Sequence, residues 1–176
     1  MISMPMLIFL PPIDFREESL SMLKLFFDRW GIGYKTTSYT RSECRGKHGA
    51  YVKPDVHTGE VDVHDYDGII FLDGEGIDSS KLYEFRPLLD LAMVFDRAGK
   101  QIWAIGNATK IIARANIIKG REIAIPKNEE TLRLVRLFHG EPVAESYKIS
   151  GNLVTISSGA AIESSIDPIL SELNIK

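Results

Sequence analysis

A single cysteine, Cys44, among 176 residues leaves no partner for an intrachain disulfide. That scarcity excludes a disulfide-stapled fold and fits a reducing cytoplasm. Long apolar runs are missing too. None approaches the ~20 residues that a membrane-spanning helix requires. The apolar opening, MISMPMLIFL, lacks a basic leading stretch and runs straight into Pro11-Pro12, so it reads as a first core strand and not as a signal peptide. Positive charge is neither abundant nor clustered. With 21 Lys and Arg against 24 Asp and Glu, net charge is -3 and the pI is near 5.8. That balance argues against nucleic acid or an anionic membrane as partner. His48, His57, His64 and His139 show neither H-x-x-H nor H-E-x-x-H spacing, so a zinc site has little support; no resident metal or cofactor is expected.

What is present suits one globular domain over residues 1–176, long enough for a sheet covered on both faces. Met6 to Leu10, Gly68 to Leu72 and Gln101 to Ile105 are continuous apolar runs, the pattern of strands buried on both sides. Between them lie helical periodicities. Asp14, with Glu17 three residues later, has capping-box spacing for a helix carrying Leu20, Leu23, Phe27 and Trp30 on one face and closed by Gly31. Tyr34 to Tyr39 suits a second strand. Arg45 to Val63 is polar and broken by Gly46, Gly49, Pro54 and Gly59, with short strands near Ala50–Lys53 forming a small excursion. Ser79 or Ser80 starts a turn, and Pro87 fits the first turn of a helix ending at Gly99. After Ile105 comes a sharp turn at Gly106-Asn107 and a helix beginning near Ala108. Glu122 to Ile125 reads as a short strand and Asn128 to Leu137 as a helix capped by Asn128. Ser150-Gly151-Asn152 joins two strands as a hairpin, and the last helix, roughly Ala160 to Leu173, should kink or restart at Pro168. Strands alternate with helices, which predicts a three-layer α/β/α sandwich around a mainly parallel, flavodoxin-like sheet with a small hairpin excursion.

Four stretches, in order and covering nearly the whole chain, resemble the ThiJ/PfpI family of the class I glutamine-amidotransferase-like superfamily. RGKHGAYVKPDV (Arg45 to Val56) resembles that family's T-G-K-H-G-x-x-V-x-x-D segment. DYDGIIFLDGEG (Asp65 to Gly76) is similar to its D-Y-D-A-L-V-x-P-G-G strand and turn. AIGNATKIIARANIIKGREI (Ala104 to Ile123) is similar to A-I-C-H-G-P-x-x-L-x-x-A-G-L-L-x-G-R-x-x, and GNLVTISSG (Gly151 to Gly159) to D-G-N-x-I-T-S-x-G. The resemblance implies a cysteine nucleophile after A-I, held in a strained turn, and here that position is Gly106. The following histidine becomes Asn107, and the Gly-Pro becomes Ala108-Thr109. Glycine removes both the thiol and most of the roughly 1–3 kcal/mol that such a backbone conformation costs other residues.

The resemblance also implies a glutamate from the loop after the first strand, for which Glu17 or Glu18 is the nearest match. Capping and dipole compensation explain carboxylates there equally well. A glycine pair that would lend N–H groups to an oxyanion becomes Gly74-Glu75, and a negative side chain there opposes acyl transfer. Asp73, Glu75 and Glu17 can serve as an acid/base group or as hard-cation ligands, or else as solvated loop carboxylates. Cys44 reads as a half-buried or surface residue. The nearby Arg41, Arg45, Lys47 and His48 leave a reactive thiol as the alternative. The ligand-binding positions expected are Gly74, Glu75, Gly106, Asn107, Ala108, Ser157 and Ser158, with Thr109 a further hydroxyl. The favoured expectation is a binding or structural module for a small anionic or carbonyl ligand, in a homodimer or larger homo-oligomer. The alternatives are an enzyme with a rewired carboxylate site and residual hydrolase or glyoxalase-type activity.

Overall fold

The computed structural model describes residues 2–174. In chain order the strands are β1 (Met6–Phe9), β2 (Ile13–Phe15), β3 (Tyr34–Ser38), β4 (Cys44–Gly46), β5 (Tyr51–Val52), β6 (Val56–His57), β7 (Gly68–Phe71), β8 (Gln101–Ile105), β9 (Glu122–Ala124), β10 (Glu141–Val143), β11 (Tyr147–Ser150) and β12 (Leu153–Ile156). The α-helices are α1 (Glu17–Trp30), α2 (Glu75–Ser79), α3 (Arg86–Arg97), α4 (Thr109–Arg114), α5 (Glu129–Leu137) and α6 (Ile162–Asn174). Seven strands form the central sheet in the order β11-β12-β8-β7-β1-β3-β6. All pairs are parallel except β11 with β12, the hairpin joined through Gly151-Asn152. β9 and β10 pair separately, and β2, β4 and β5 make the small excursion.

Alternation along the strands divides the core in two. Leu7, Phe9, Ile69, Phe71 and Ile102 face α3, α4 and α5 through Leu88, Phe95, Ile111 and Val135. Met6, Ile8, Ile70, Trp103 and Ile105 face α1 and α6 through Leu23, Phe27, Ile166 and Leu170. Both faces of β1, β7 and β8 are therefore buried, which is why these strands read as unbroken apolar runs. Phe27 meets Trp103 edge-on, with ring centroids 5.8 Å apart. The fold is the three-layer α/β sandwich expected from the sequence.

Local details differ from the sequence expectations. Asp14 does not cap α1: Arg16 is the capping residue and makes no side-chain cap bond, while Asp14 sits in β2 at φ 56°. Pairing of β2 with β4, and of Phe15 with Gly74, keeps this stretch extended until Glu17. Ser79 ends α2, and Ser80 begins the short turn that leads into a 3-10 turn over Leu82–Glu84. A short 3-10 turn over Gly106–Ala108 precedes α4, so the helix begins at Thr109. Trp30 is partly exposed and donates its indole N–H to Asp167 at 2.8 Å. Pro168 lies inside α6, which continues through it; burial of Ile166, Ile169 and Leu170 on either side holds the helix there.

Candidate functional site

The parallel strands β1, β7, β8 and β12 all release the chain at one edge of the sheet, the edge where α/β folds place ligands. β8 ends there at Ile105, and Gly106 turns the chain at φ 55°, in the left-handed region. A Cβ at Gly106 would make only ordinary contact, 3.4 Å from Asp73 Cβ and 3.7 Å from Ser158 Cα. The glycine is thus required by backbone conformation more than by space. Asn107 fixes the neighbouring loop: its Nδ2 donates to Gly74 O at 2.7 Å, and its Oδ1 accepts from Gly74 N at 3.3 Å. Phe15 bridges to Gly74 from the other side. Three loops, after β1, β7 and β8, are thereby tied together around one cavity of about 520 Å³.

The inner wall of that cavity is polar. Asp73 is 6% exposed, and its Oδ1 has no hydrogen-bond partner. Burial pushes the Asp73 carboxyl upward, while Ser19, the Arg16 guanidinium and the Gly159 N–H partly oppose that rise. Arg16 Nη1 donates to Ser19 Oγ at 3.0 Å. A Cβ at Gly159 would stand 2.5 Å from each of Arg16 Nη1, Asp73 Oδ2 and Ser19 Oγ, so all three converge on that residue. The space beside the side-chain-free Gly106 is bounded by the carboxyl-bearing side chain of Asp73.

Among the residues singled out from the sequence, Glu18, Asp73, Gly74, Glu75, Gly106, Asn107 and Ser158 line this cavity. Glu75 is ion-paired with Lys47 across the mouth. Glu17 does not line it. Its carboxylate turns to the excursion and accepts from His48 N at 2.8 Å and Ala50 N at 2.9 Å. Desolvation works against the charged form of Glu17, but those N–H groups outweigh it and hold the pKa below its usual value. Glu17, Glu18 and His48 bring one ligand atom each within 4.8 Å of one another. Both Glu17 oxygens are already engaged by backbone donors, so the trio is spoken for as structure.

Ala108 and Thr109 are fully buried and lie outside the lining. Ser157 lines a separate, larger groove of about 870 Å³ between Pro126 and Ser146, which meets the elbow cavity at Pro126 and Ser158. Cys44 is fully buried against the α1/α6 core, and burial raises its thiol pKa although Ser38 partly opposes this. It is therefore not a surface residue, and its burial disfavours the thiolate that a reactive cysteine needs. α4 has only six residues, so its N-terminal dipole is a smaller contributor than the turn suggested.

Sequence reasoning missed Arg16, Ser19 and a buried cation, Lys110. Lys110 is 1% exposed, pairs with Asp78 at 2.6 Å and with Glu130, and lies over the Tyr83 ring at 4.9 Å. Burial alone would lower its pKa, but the two carboxylates more than compensate and keep it raised. Asp78 also accepts from Asn107 Nδ2 at 3.1 Å, linking this ion pair to the elbow.

A parallel sheet between helical layers, with a left-handed residue at the strand-to-helix elbow and a polar cavity beside it, defines the class of α/β proteins built around such an elbow. The chain belongs to the DJ-1/PfpI family, whose family model matches residues 6–166. An uncharacterised protein of Methanocaldococcus jannaschii is 26% identical over 152 residues, covering 86% of this chain and 74% of the relative. Another from Archaeoglobus fulgidus is 25% identical over 146 residues, covering 79% and 83%. The crystal structure of a ThiJ/PfpI domain protein from Brachyspira murdochii superposes with a TM-score of 0.89 at 24% identity, covering 97% of this chain and 96% of that one. Drosophila melanogaster DJ-1beta gives 0.79 at 18% identity, covering 99% and 92%. These likenesses establish the shared fold. Among the described residues, no helix is long and apolar enough to cross a membrane.

Proposed function

We propose that this DJ-1/PfpI-family chain is a small-ligand-binding module whose elbow no longer supplies a nucleophile. The observation that carries this reading is Gly106 itself. It stands at the left-handed turn after β8 with Asp73 beside it, while the one thiol of the chain is buried and does not line the cavity. The cavity is large enough for a small molecule, and Asn107 and Ser158 offer groups suited to a carbonyl or an anion. The same reading includes a single domain over residues 1–176, cytoplasmic residence and a homo-oligomer. Incubating the purified protein with methylglyoxal, with and without divalent metal, tests it. No turnover is expected in either condition, and clear turnover removes the inert-module reading.

One observation favours a second reading, an enzyme with a rewired carboxylate site. Asp73 is buried, unpartnered at Oδ1 and shifted towards its protonated form, the environment of a tuned general acid. Glu75 would be its partner at the mouth, and Glu18 a third carboxylate. Glu17 drops out because its oxygens are bound to the excursion. Turnover that disappears in Asp73→Asn would select this reading over the first.

A further inference from the structure

Arg16 is the one cation on the inner wall of the elbow cavity, and it comes from the loop where the family resemblance leads one to expect a carboxylate. The ion pairs of the described residues involve Arg41, Lys47, Arg86, Lys110, Arg121 and Lys148. Arg16 is in none of them. Its guanidinium has five donors in a planar fork, and the side-chain hydrogen bond it makes is the one from Nη1 to Ser19 Oγ. A half-buried guanidinium lining a cavity with donors to spare is built to meet a planar oxyanion in bidentate fashion.

A second, independent observation lies on the same wall: Asp73, nine-tenths buried, has an oxygen with no partner. Buried polar atoms are rarely left in that condition. The rim narrows the choice of oxyanion. Asp14, Glu18 and Glu75 all line the cavity, and only Glu75 among them is ion-paired, with Lys47. Such a rim repels a dianion such as phosphate more strongly than a single negative charge.

We infer that the cavity takes a small monocarboxylate, its two oxygens received by the Arg16 guanidinium and its carboxylate backed by Asp73. This rests on the small-ligand reading above and specifies the ligand class of that same site. Burial favours the protonated form of Asp73, and a neutral acid can donate a hydrogen bond to a carboxylate oxygen where an ionised one would repel it. Ser19 holds Arg16 in place from behind and does not itself line the cavity.

Isothermal titration calorimetry with benzoate, its neutral isostere benzamide, and inorganic phosphate tests the inference on the intact protein. The wild type should bind benzoate at least about tenfold more tightly than either of the others, since a charge-assisted hydrogen bond is roughly twice as strong as a neutral one. Arg16→Gln should lose at least that factor for benzoate and leave benzamide unchanged, with Arg16→Lys in between because it keeps charge but not the fork. Benzoate affinity unchanged in Arg16→Gln, or phosphate bound as tightly as benzoate, overturns the inference. Should Arg16→Gln fail to fold, Arg16→Lys and the wild-type benzoate-to-benzamide ratio decide. Benzamide binding without benzoate preference removes this inference alone, whereas no binding of either removes the small-ligand reading beneath it.

Discussion

Gly106 and Asp73 form a matched pair: one lacks a side chain at the bend, and the other brings a carboxyl group beside it. Gly106→Cys tests how far the turn has changed. Its Cβ meets only ordinary van der Waals distances, so the variant should fold, losing about 1–2 kcal/mol from the left-handed backbone. That corresponds to a Tm lower by roughly 2–8 °C. A thiol reagent under native conditions should label it while leaving the wild type untouched; an unfolded or unlabelled variant would mean that the cavity geometry is misread. Asp73 makes a pH prediction. Burial raises its folded pKa above the unfolded value of about 3.9. The folded chain therefore holds that proton more tightly than the unfolded one. The resulting stability is complete below the unfolded pKa and is lost as pH rises through the folded one. Asp73→Asn abolishes the titration, so its Tm should exceed that of the wild type at pH 7, with the gap closing towards pH 4. A gap independent of pH would refute the assignment.

At the level of elements, the loops that frame the cavity are held by groups from distant parts of the chain. Lys110 on α4 reaches Asp78 on α2 and Glu130 on α5, and Asp78 in turn holds Asn107. Lys110→Met keeps most of the apolar stem but leaves both carboxylates without their cation. A loss on the order of 1–3 kcal/mol is expected, read in thermal denaturation as roughly 3–10 °C; a neutral effect would show that the pairing is dispensable. None of this clamp is visible in the sequence, where Lys110 sits in an otherwise ordinary helical stretch and its partners lie 20 and 32 positions away. Arg16 escaped notice for a related reason. In a row reading Arg16-Glu17-Glu18, only the donors of His48 and Ala50, more than thirty positions on, decide that Glu17 turns away and Arg16 turns in. By contrast β1, β7 and β8 are legible because burial on both faces demands unbroken apolar residues. The cap of α5 is legible too, since Asn128 Oδ1 accepts from Thr131 N at 2.9 Å, a local bond with a local signature.

For the molecule as a whole, the layer order and the position of the elbow could be read from the alternation of strands and helices together with the family-like segments. The reading that went astray at Asp14 is one where pairing with remote chain outweighs local propensity. The proposed homo-oligomer is tested by sedimentation velocity, which should give at least twice the chain mass of 19.7 kDa; a single species of that mass would refute it. Cys44 has a wider consequence. With its side chain buried in the α1/α6 core and burial disfavouring the thiolate, Cys44 should react slowly with peroxide and electrophiles in the folded chain. The proposed ligand cavity, lined by no cysteine, would then carry no redox-sensitive thiol of its own.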